Sequence, residues 1–484
     1  MKELKKDFLW GAGIAANQAE GYTNVDGKGI STADAWPIDK NFDVNNVIEG
    51  ITMTQEKIAK YLDPVNDYYF PKRNGIGFYK TYKEDIKILS ELGLKIFRMS
   101  IAWTRIFPNG DEDKPNEAGL KFYENVVNEC LKYDIKVLFT LQHNEIPLGI
   151  AQNYGGWNNK KVIDFFVNYA TSVMKRFKGK VQYWVPFNEF NHLGFDNTAI
   201  YDDTKDLVNQ SYNAFHNQFV ANAKVIKLGK EIDCENKFGT MLGWMLSYPL
   251  TCHPLDVLEN YKKMQKENYF FADVFLKGEY PWYATDLFNQ LKVTLKTTPE
   301  ELGLIKNYNA DFIGFSYYSS GTATYRDDMK VTGGNVAATG VNEYLEKTDW
   351  GWQVDPVGLK IAMLDLYDRY QKPLFILENG IGVKEDNPDL KVVNDHYRIK
   401  YMKDHIDQIK SAVSEGVECW GYLTWSALDI ISFSTHQMSK RYGLVYVDQD
   451  DYGNGTKKRI KKTSFEWYKK VIKSNGDTSI KEGL

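Results

Sequence analysis

The chain has 484 residues, of which 60 are basic and 64 are acidic, for a formal net charge of −4. The chain therefore has no overall excess of basic residues of the kind that binds nucleic acid. Its N-terminal residues show no apolar export signal. No apolar run is long enough to cross a membrane. Four widely separated cysteines lack C-x-x-C spacing: Cys130, Cys234, Cys252 and Cys419. We therefore expect reduced thiols, a cytoplasmic location, and neither a nucleic-acid nor a membrane partner.

Eight short apolar runs alternate along the chain with segments of helical periodicity. The runs begin at Phe8 and continue at 96–101, 136–141, 181–187, 238–244, 311–317, 373–377 and 419–425. Between them, apolar residues recur at steps of three and four, as in 162–177 and 397–413. Alternating strands and helices predict a parallel sheet, and eight such units predict an α/β fold, a (β/α)8 TIM barrel forming a single domain over residues 1–484. An open doubly wound sheet is the alternative.

The predicted connections differ in length at the two ends of the barrel. Helix-to-strand connections such as 92–95 and 132–135 are short. The strand-to-helix connections are long and cover 22–72, 190–205, 319–350, 380–394 and 429–460. Long βα loops predict a deep pocket at the end where barrel enzymes hold their active sites. The charge-dense segment 448–463 is expected to be solvated surface.

Two of the predicted strands end on carboxylates. The run 373–377 is followed by Glu378, and the fourth run is followed by Asn188 and Glu189. Burial of an unpaired carboxylate is costly, so a packing role is disfavoured. Two carboxylates on opposite sides of one pocket are what glycoside hydrolysis requires. The alternative is that these are two unrelated strand-end carboxylates, because barrels host many chemistries. Seven histidines without metal-ligand spacing indicate no metal site.

Other polar side chains accompany the strand ends. Arg98 lies in the second run, His143 follows the third, and Tyr317 ends the sixth as a candidate substrate contact. Either Arg98 or Tyr317 near Glu378 would favour the ionised form that a nucleophile needs. Glu189 would need a drier setting to stay protonated until it donates. His143 by itself is equally a candidate core histidine, because histidine is intermediate in burial.

Five motifs follow one another along the chain, at 8–12, 18–21, 97–100, 187–189 and 376–380. Together they resemble glycoside hydrolase family 1 over essentially the whole chain. The resemblance implies a retaining enzyme without cofactors, with Glu189 as acid/base and Glu378 as nucleophile. It implies sugar contacts from four residues: Gln18, His143, Asn188 and Trp425. It also implies a cis peptide bond after Trp425, and a contact between Asn188 and the 2-hydroxyl.

The segment after the eighth strand departs from the ordinary β-glucosidases of that family. Those relatives place a glutamate there to hold O4 and O6, whereas this chain has Ser432. A carboxylate would repel a phosphate on O6, whereas a hydroxyl offers a donor, Lys440 a charge and Tyr442 another donor. The spacing of these three residues resembles the phosphate grip of 6-phospho-β-glycosidases. Two further segments carry the same resemblance: 316–318 and 350–356.

The sequence therefore predicts hydrolysis of 6-phospho-β-D-glucosides, such as cellobiose 6-phosphate or aryl 6-phospho-β-glucosides, with a small phosphorylated glycoside as the partner. For a retaining pair, the carboxyl groups should lie about 5–5.5 Å apart. A β-glucosidase or a 6-phospho-β-galactosidase on the same site, and a non-catalytic sugar-phosphate-binding barrel, are the alternatives. Phe433 favours gluco configuration, and Asn144 alters one pocket wall where relatives carry an aromatic residue.

Overall fold

The structure is a computed structural model that describes residues 3–38, 54–191, 206–334, 338–385 and 392–480. Its strands, in chain order, are β1 (Leu9–Ile14), β2 (Ile96–Ser100), β3 (Lys136–Gln142), β4 (Tyr183–Phe187), β5 (Lys237–Phe238), β6 (Leu242–Gly243), β7 (Leu246–Pro249), β8 (Ile313–Ser316), β9 (Ser320–Ala323), β10 (Val331–Thr332), β11 (Thr339–Gly340), β12 (Leu374–Asn379), β13 (Val383–Lys384), β14 (Cys419–Trp425), β15 (Lys440–Arg441), β16 (Val445–Val447) and β17 (Arg459–Lys461).

Nine strand segments form one parallel sheet in the order β5–β4–β3–β2–β1–β14–β12–β8–β6. The segments β5 and β6 are two parts of the fifth barrel strand, because β5 pairs with β4 and β6 pairs with β8. The sheet closes through this strand, and the predicted (β/α)8 barrel is confirmed. The prediction of one continuous strand over 238–244 is wrong. Between Phe238 and Leu242 a single bridge joins Gly239 to Phe312, and the ladder is interrupted.

Helices follow the barrel strands and cover the outside of the sheet. In chain order they are α1 (Ala16–Ala19), α2 (Gln55–Leu62), α3 (Pro71–Asn74), α4 (Phe78–Ser90), α5 (Trp103–Ile106), α6 (Glu117–Lys132), α7 (Leu148–Tyr154), α8 (Lys161–Arg176), α9 (Leu207–Ile232), α10 (Pro254–Met264), α11 (Phe270–Lys277), α12 (Ala284–Gln290), α13 (Pro299–Asn307), α14 (Pro356–Tyr370), α15 (His396–Glu415) and α16 (Thr463–Lys473), with a 3₁₀ turn at Ala33–Ala35 and a π turn at Gln265–Tyr269. Within the described ranges, none of these helices has the length and apolar character that crossing a membrane requires.

Local sequence explains the helices that the periodicity predicted. The buried residues of α8 recur at steps of three and four, as an amphipathic helix on a sheet requires. Helix α14 begins with Pro356, and the Asp355 side chain accepts a hydrogen bond from the Gly358 amide at 2.9 Å. Aspartate at the cap and proline at the first helical position are both favourable there.

The inside of the barrel is filled by apolar side chains near its closed end. This cluster comprises Leu9, Ile96, Leu138, Val185, Met241, Phe312, Phe375, Leu377 and Leu423. Because these side chains fill the barrel interior at one end, the interior is left open toward the carboxyl ends of the strands, where the long connections lie. Parts of the predicted long connections, at 39–53, 192–205, 335–337 and 386–391, lie outside the described residues.

The charge-dense segment 448–463 is less exposed than its composition suggests. Lys462 is buried and its Nζ lies 3.0 Å from Asp429 Oδ1. The Arg459 guanidinium, also nearly buried, lies 2.8 Å from Asp85 Oδ1. The prediction of a solvated segment is therefore wrong for these residues, because their partners come from distant parts of the chain.

Candidate active site

Arg98, on β2, connects the two strands that carry the candidate glutamates. Its side chain is buried, and its guanidinium donates to Asn188 Oδ1 at 2.5 Å, to Thr140 Oγ1 at 3.0 Å, and to Glu378 Oε1 in a short ion pair. Arginine presents donors in a rigid fork, so one side chain can hold several acceptors in fixed directions. Of the two residues predicted to lie near the Glu378 carboxylate, Arg98 is the one whose side chain pairs with it.

Glu378 lies near the end of β12 and is 3% exposed. Its Oε1 accepts from Arg98, and its Oε2 accepts from the Tyr318 hydroxyl at 2.6 Å. Burial raises the pKa of Glu378 to about 7, and the charge of Glu189 acts in the same direction, while Arg98 and Tyr318 oppose the shift. Desolvation therefore outweighs the two donors, whereas the sequence argument expected donors to dominate. The carboxyl is ionised above this pKa and protonated below it.

Tyr317 adjoins Glu378 through its backbone, where its amide donates to the Glu378 carbonyl at 3.0 Å, but its side chain is directed elsewhere. Its buried hydroxyl donates to the Asp355 carbonyl at 2.9 Å, away from Glu378. Alternate residues of an extended segment face opposite sides. Since Ser316 faces the pocket, Tyr317 faces outward and Tyr318 faces inward. The prediction of Tyr317 as the donor to the Glu378 carboxylate is therefore wrong, because Tyr318 is that donor, and the alternation itself could have identified it. The Tyr317 side chain also does not line the cavity, where a substrate contact was predicted for it.

Glu189 lies on the opposite side of the pocket, two residues beyond the end of β4. Its φ of 39° is unusual for a residue other than glycine and marks a constrained backbone. The Ser316 hydroxyl donates to Glu189 Oε1 at 2.5 Å. Glu189 and Glu378 line the same cavity. The structure thus brings together the two carboxylates that the sequence singled out.

The predicted sugar contacts surround this pair. Gln18, His143 and Trp425 line the cavity, and Asn188 is held beside it by Arg98. Three buried atoms have no hydrogen-bond partner within the described part of the chain: Gln18 Oε1, His143 Nδ1 and Asn188 Nδ2. Buried polar atoms normally have partners, so unpartnered ones beside a cavity suit a polar ligand. The peptide bond after Trp425 is cis, as expected.

His143 belongs to the pocket and is not a histidine of the apolar core. Its ring stacks on that of Trp425, with centroids 5.7 Å apart. Burial lowers the pKa of His143 well below its usual value, and the charges of Arg98 and Lys72 act in the same direction. The ring is therefore neutral at pH 7, with one nitrogen donor and one acceptor, which suits contact with hydroxyl groups.

The three residues predicted to hold phosphate come together beside the cavity. Tyr442 lines the cavity, and Ser432 hydrogen-bonds to the Tyr442 side chain. The Lys440 Nζ lies 5.8 Å from the Tyr442 ring centroid. Strand β15, which begins at Lys440, pairs with β13 just beyond Glu378. This site therefore adjoins the carboxylate pair.

Lys440 has an unusual environment for a charged side chain. It is 2% exposed, and its Nζ lies 4.8 Å from the Trp350 ring centroid and 4.7 Å from that of Trp352. Across the described residues, no carboxylate lies within ion-pair distance of this Nζ. Burial lowers the pKa of Lys440 to about 7. A buried cation without a counter-ion is costly, so this arrangement is suited to receiving an anion.

Two residues beside the carboxylate pair were not predicted from the sequence, Thr140 and Ser434. Thr140, an inward-facing residue of β3, accepts a hydrogen bond from Arg98, and Ser434 lines the cavity beside Phe433. A polar residue within an otherwise apolar buried strand is a usable signal for Thr140. Ser434 carries no such signal, because it lies in a loop.

The family model "Glycosyl hydrolase family 1" matches residues 1–477. The chain is 45% identical over 480 residues to the 6-phospho-beta-glucosidase of Clostridium longisporum, with 97% of each chain covered. It is 43% identical over 482 residues to the aryl-phospho-beta-D-glucosidase BglH of Bacillus subtilis, with 99% of each covered. The solved beta-glucosidase from Thermotoga maritima in complex with glucoimidazole has a TM-score of 0.82 at 29% identity, covering 98% of this chain and 100% of that one. The chain belongs to glycosyl hydrolase family 1.

Proposed function

We propose that this enzyme is a retaining 6-phospho-β-glucosidase, which hydrolyses 6-phospho-β-D-glucosides to glucose 6-phosphate and an alcohol or sugar. The observation that carries the proposal is Lys440, a buried cation beside the carboxylate pair and without a carboxylate of its own among the described residues. Relatives named for phosphorylated glucosides, similar over nearly their whole length, support the same substrate class.

The chemistry of the site favours a phosphate over a free hydroxymethyl group. Ser432 and Tyr442 offer hydroxyl donors, and Lys440 offers a point charge; hydrogen bonds to an ionised acceptor are the stronger kind. A bound phosphate would supply the missing counter-ion and so offset the desolvation of Lys440. Because the pKa of Lys440 is about 7 in the protein, this side chain is charged below that pH and loses its proton above it.

The two glutamates then act in turn. Glu189 donates its proton to the glycosidic oxygen while a Glu378 oxygen attacks the anomeric carbon, so the aglycone leaves as a neutral alcohol and a glycosyl–enzyme ester forms. Glu189, now ionised, takes a proton from water as that water attacks the same carbon and displaces Glu378. Two inversions give net retention. Arg98 and Tyr318 hold the Glu378 carboxylate in place for both steps.

We also propose that the enzyme works in the cytoplasm. All four of its cysteines are free thiols, two of them exposed, which suits a reducing compartment.

The phosphate assignment predicts a selective loss in Lys440→Met. We expect this variant to lose about 100-fold in kcat/KM on p-nitrophenyl β-glucoside 6-phosphate, because a charge-assisted contact is removed. Hydrolysis of the unphosphorylated p-nitrophenyl β-glucoside should change much less, so the ratio of the two kcat/KM values is the measurement.

Lys384→Met is the matched control for that variant. Lys384 is exposed and lies directly opposite Lys440 in the β13–β15 pair. The Lys384→Met variant removes the same charge from the same strand pair. We expect it to leave the ratio of the two kcat/KM values unchanged. If the wild-type enzyme prefers the unphosphorylated glucoside, or if both variants lower the ratio equally, the phosphate assignment is wrong.

The roles of Tyr317 and Tyr318 predict different pH profiles for their phenylalanine variants. Tyr318→Phe removes a donor to the Glu378 carboxylate, so the pKa of Glu378 should rise further. Since the ionised form is the nucleophile, activity is present above this pKa and lost as the pH falls through it. We therefore expect the acid limb of kcat/KM to move to higher pH in Tyr318→Phe.

Tyr317→Phe is the control, because that hydroxyl bonds to Asp355 and not to Glu378. Its acid limb should coincide with that of the wild type. An unmoved limb in Tyr318→Phe, or the same displacement in both variants, would contradict the assignment of Tyr318.

A further inference from the structure

The strand that carries Lys440 is held from outside by residues 447–451, which we call the outer segment. Along β15 and its flanks, side chains alternate between two faces. Lys440 and Tyr442 face the cavity side, whereas Ser439 and Arg441 contact the outer segment. The outer segment therefore contacts the chain on both sides of Lys440, through the backbone of Met438 and Ser439 before it and through the side chain of Arg441 after it.

Asp451 makes the first of these contacts. Its Oδ1 accepts from the backbone amides of Met438 and Ser439, each at 2.7 Å, and its Oδ2 accepts from the Ser439 hydroxyl at 3.0 Å. Three hydrogen bonds to one carboxylate are stronger than bonds between neutral groups. They fix the chain at the residue directly before Lys440.

Arg441 makes the second contact, directly after Lys440. Its guanidinium donates to the Val447 carbonyl and to the Gln449 carbonyl, each at 2.8 Å. The outer segment is itself tied to the body of the protein, because the Gln449 amide donates to the Gly75 carbonyl at 3.1 Å. Both neighbours of Lys440 are thus fastened to one anchored segment.

Lys440 needs such support more than most lysines do. Its Nζ lies against aromatic rings and has no carboxylate to hold it, so its position depends on its backbone. Asp451 forms no ion pair with Lys440 within the described residues, and it therefore orients this lysine without competing for its charge. A binding group that is displaced by a fraction of a bond length loses much of its contribution.

We propose that Asp451 is a positioning residue for binding of the substrate's phosphate group. Asp451 holds Lys440 in place through the backbone of Met438 and Ser439. The inference rests on the proposed function and adds to it a residue that touches no substrate. It also assigns a role to the charge-dense segment after β16, whose composition indicated only surface.

The test compares Asp451→Ala with Asp450→Ala in the full-length enzyme. Within the described residues, the Asp450 carboxylate accepts from Tyr452, Gly453 and Asn454, all in its own turn. Its removal therefore alters the charge of the same loop without touching Ser439. We expect Asp451→Ala to raise KM for p-nitrophenyl β-glucoside 6-phosphate about tenfold, with a smaller effect on kcat. Asp450→Ala should leave KM for this substrate at the wild-type value.

Two further variants separate positioning from folding. Asp451→Asn keeps an oxygen acceptor for the two backbone amides, and we expect it to retain most of the affinity for the phosphorylated substrate. Ser439→Ala removes only the hydroxyl contact, and we expect a smaller rise in KM than in Asp451→Ala. If Asp451→Ala does not fold, Ser439→Ala decides: a rise in KM for the phosphorylated substrate alone supports the positioning role, and an unchanged KM contradicts it.

The outcomes distinguish this inference from the proposed function. If the wild type prefers the phosphorylated substrate but Asp451→Ala keeps its KM, the positioning role is wrong and the function stands. If Asp451→Ala weakens both the phosphorylated and the plain glucoside equally, Asp451 is merely structural and the inference again fails. If the wild type shows no preference for the phosphorylated substrate, the proposed function itself fails.

Discussion

Glu378→Ala is expected to lower kcat on p-nitrophenyl β-glucoside 6-phosphate by about 10⁴-fold or more, because no covalent intermediate can form without the nucleophile. The side chain is buried and bonded to Arg98 and Tyr318, so no other carboxylate can take its place without moving these donors. Steady-state kinetics measure the loss, and the unfolding temperature shows whether the protein remains folded.

Added azide provides a sharper result for the same variant. Truncation leaves space below the anomeric carbon, where a small anion can attack in place of the Glu378 oxygen. A single displacement by azide inverts the anomeric centre, so the product should be the α-glycosyl azide 6-phosphate, which NMR identifies. Recovery of activity without an α-azide product, or residual activity within about tenfold of wild type, would contradict the assignment of Glu378.

In Glu189→Ala, the loss of activity is expected to be larger for substrates with poorer leaving groups. For a poor leaving group such as a sugar, we expect a loss of about 10²–10⁴-fold, because the departing oxygen needs the proton that Glu189 supplies. For 2,4-dinitrophenyl β-glucoside 6-phosphate the first step should be nearly normal, since this phenolate leaves without protonation. The glycosyl–enzyme should then accumulate, because water lacks its general base, and a burst of dinitrophenolate measures it.

Azide again separates the two roles. In Glu189→Ala, azide attacks the glycosyl–enzyme from the side where Glu189 stood, so two inversions give the β-glycosyl azide 6-phosphate. The same reagent thus gives opposite anomers with the two variants. If the anomers are exchanged between the variants, Glu189 and Glu378 have been assigned in the wrong order. If neither variant shows a leaving-group effect, this pair is not the catalytic pair.

Much of the fold and both candidate catalytic residues were predictable from local sequence pattern. Apolar runs alternating with helical periodicity are enough to predict parallel strands and covering helices, and the barrel is confirmed by the closed order of its sheet. Glu189 and Glu378 were visible because a carboxylate at the end of a buried strand conflicts with packing. The motifs for family membership are also contiguous, and the family match agrees with them.

Other properties were decided only by tertiary structure. Tyr317 and Tyr318 are adjacent in sequence, yet their side chains point to opposite sides of the chain after the sixth strand. The Tyr317 hydroxyl donates to Asp355, and the Tyr318 hydroxyl donates to Glu378. The fifth strand is divided into two segments, of which β5 pairs with β4 and β6 pairs with β8. Neither outcome follows from residue type, since both depend on register between strands.

The same holds for charge and burial. Arg98 and Glu378 are 280 residues apart in sequence, and their ion pair exists only because β2 and β12 belong to one closed sheet. Composition predicted that the segment around Asp451 lies on the surface, but the Asp451 carboxylate accepts hydrogen bonds from the amides of Met438 and Ser439. Local pattern determines which elements form, because periodicity is a short-range property. The partners, burial and pKa of a charged group are set by residues that only the folded chain brings near.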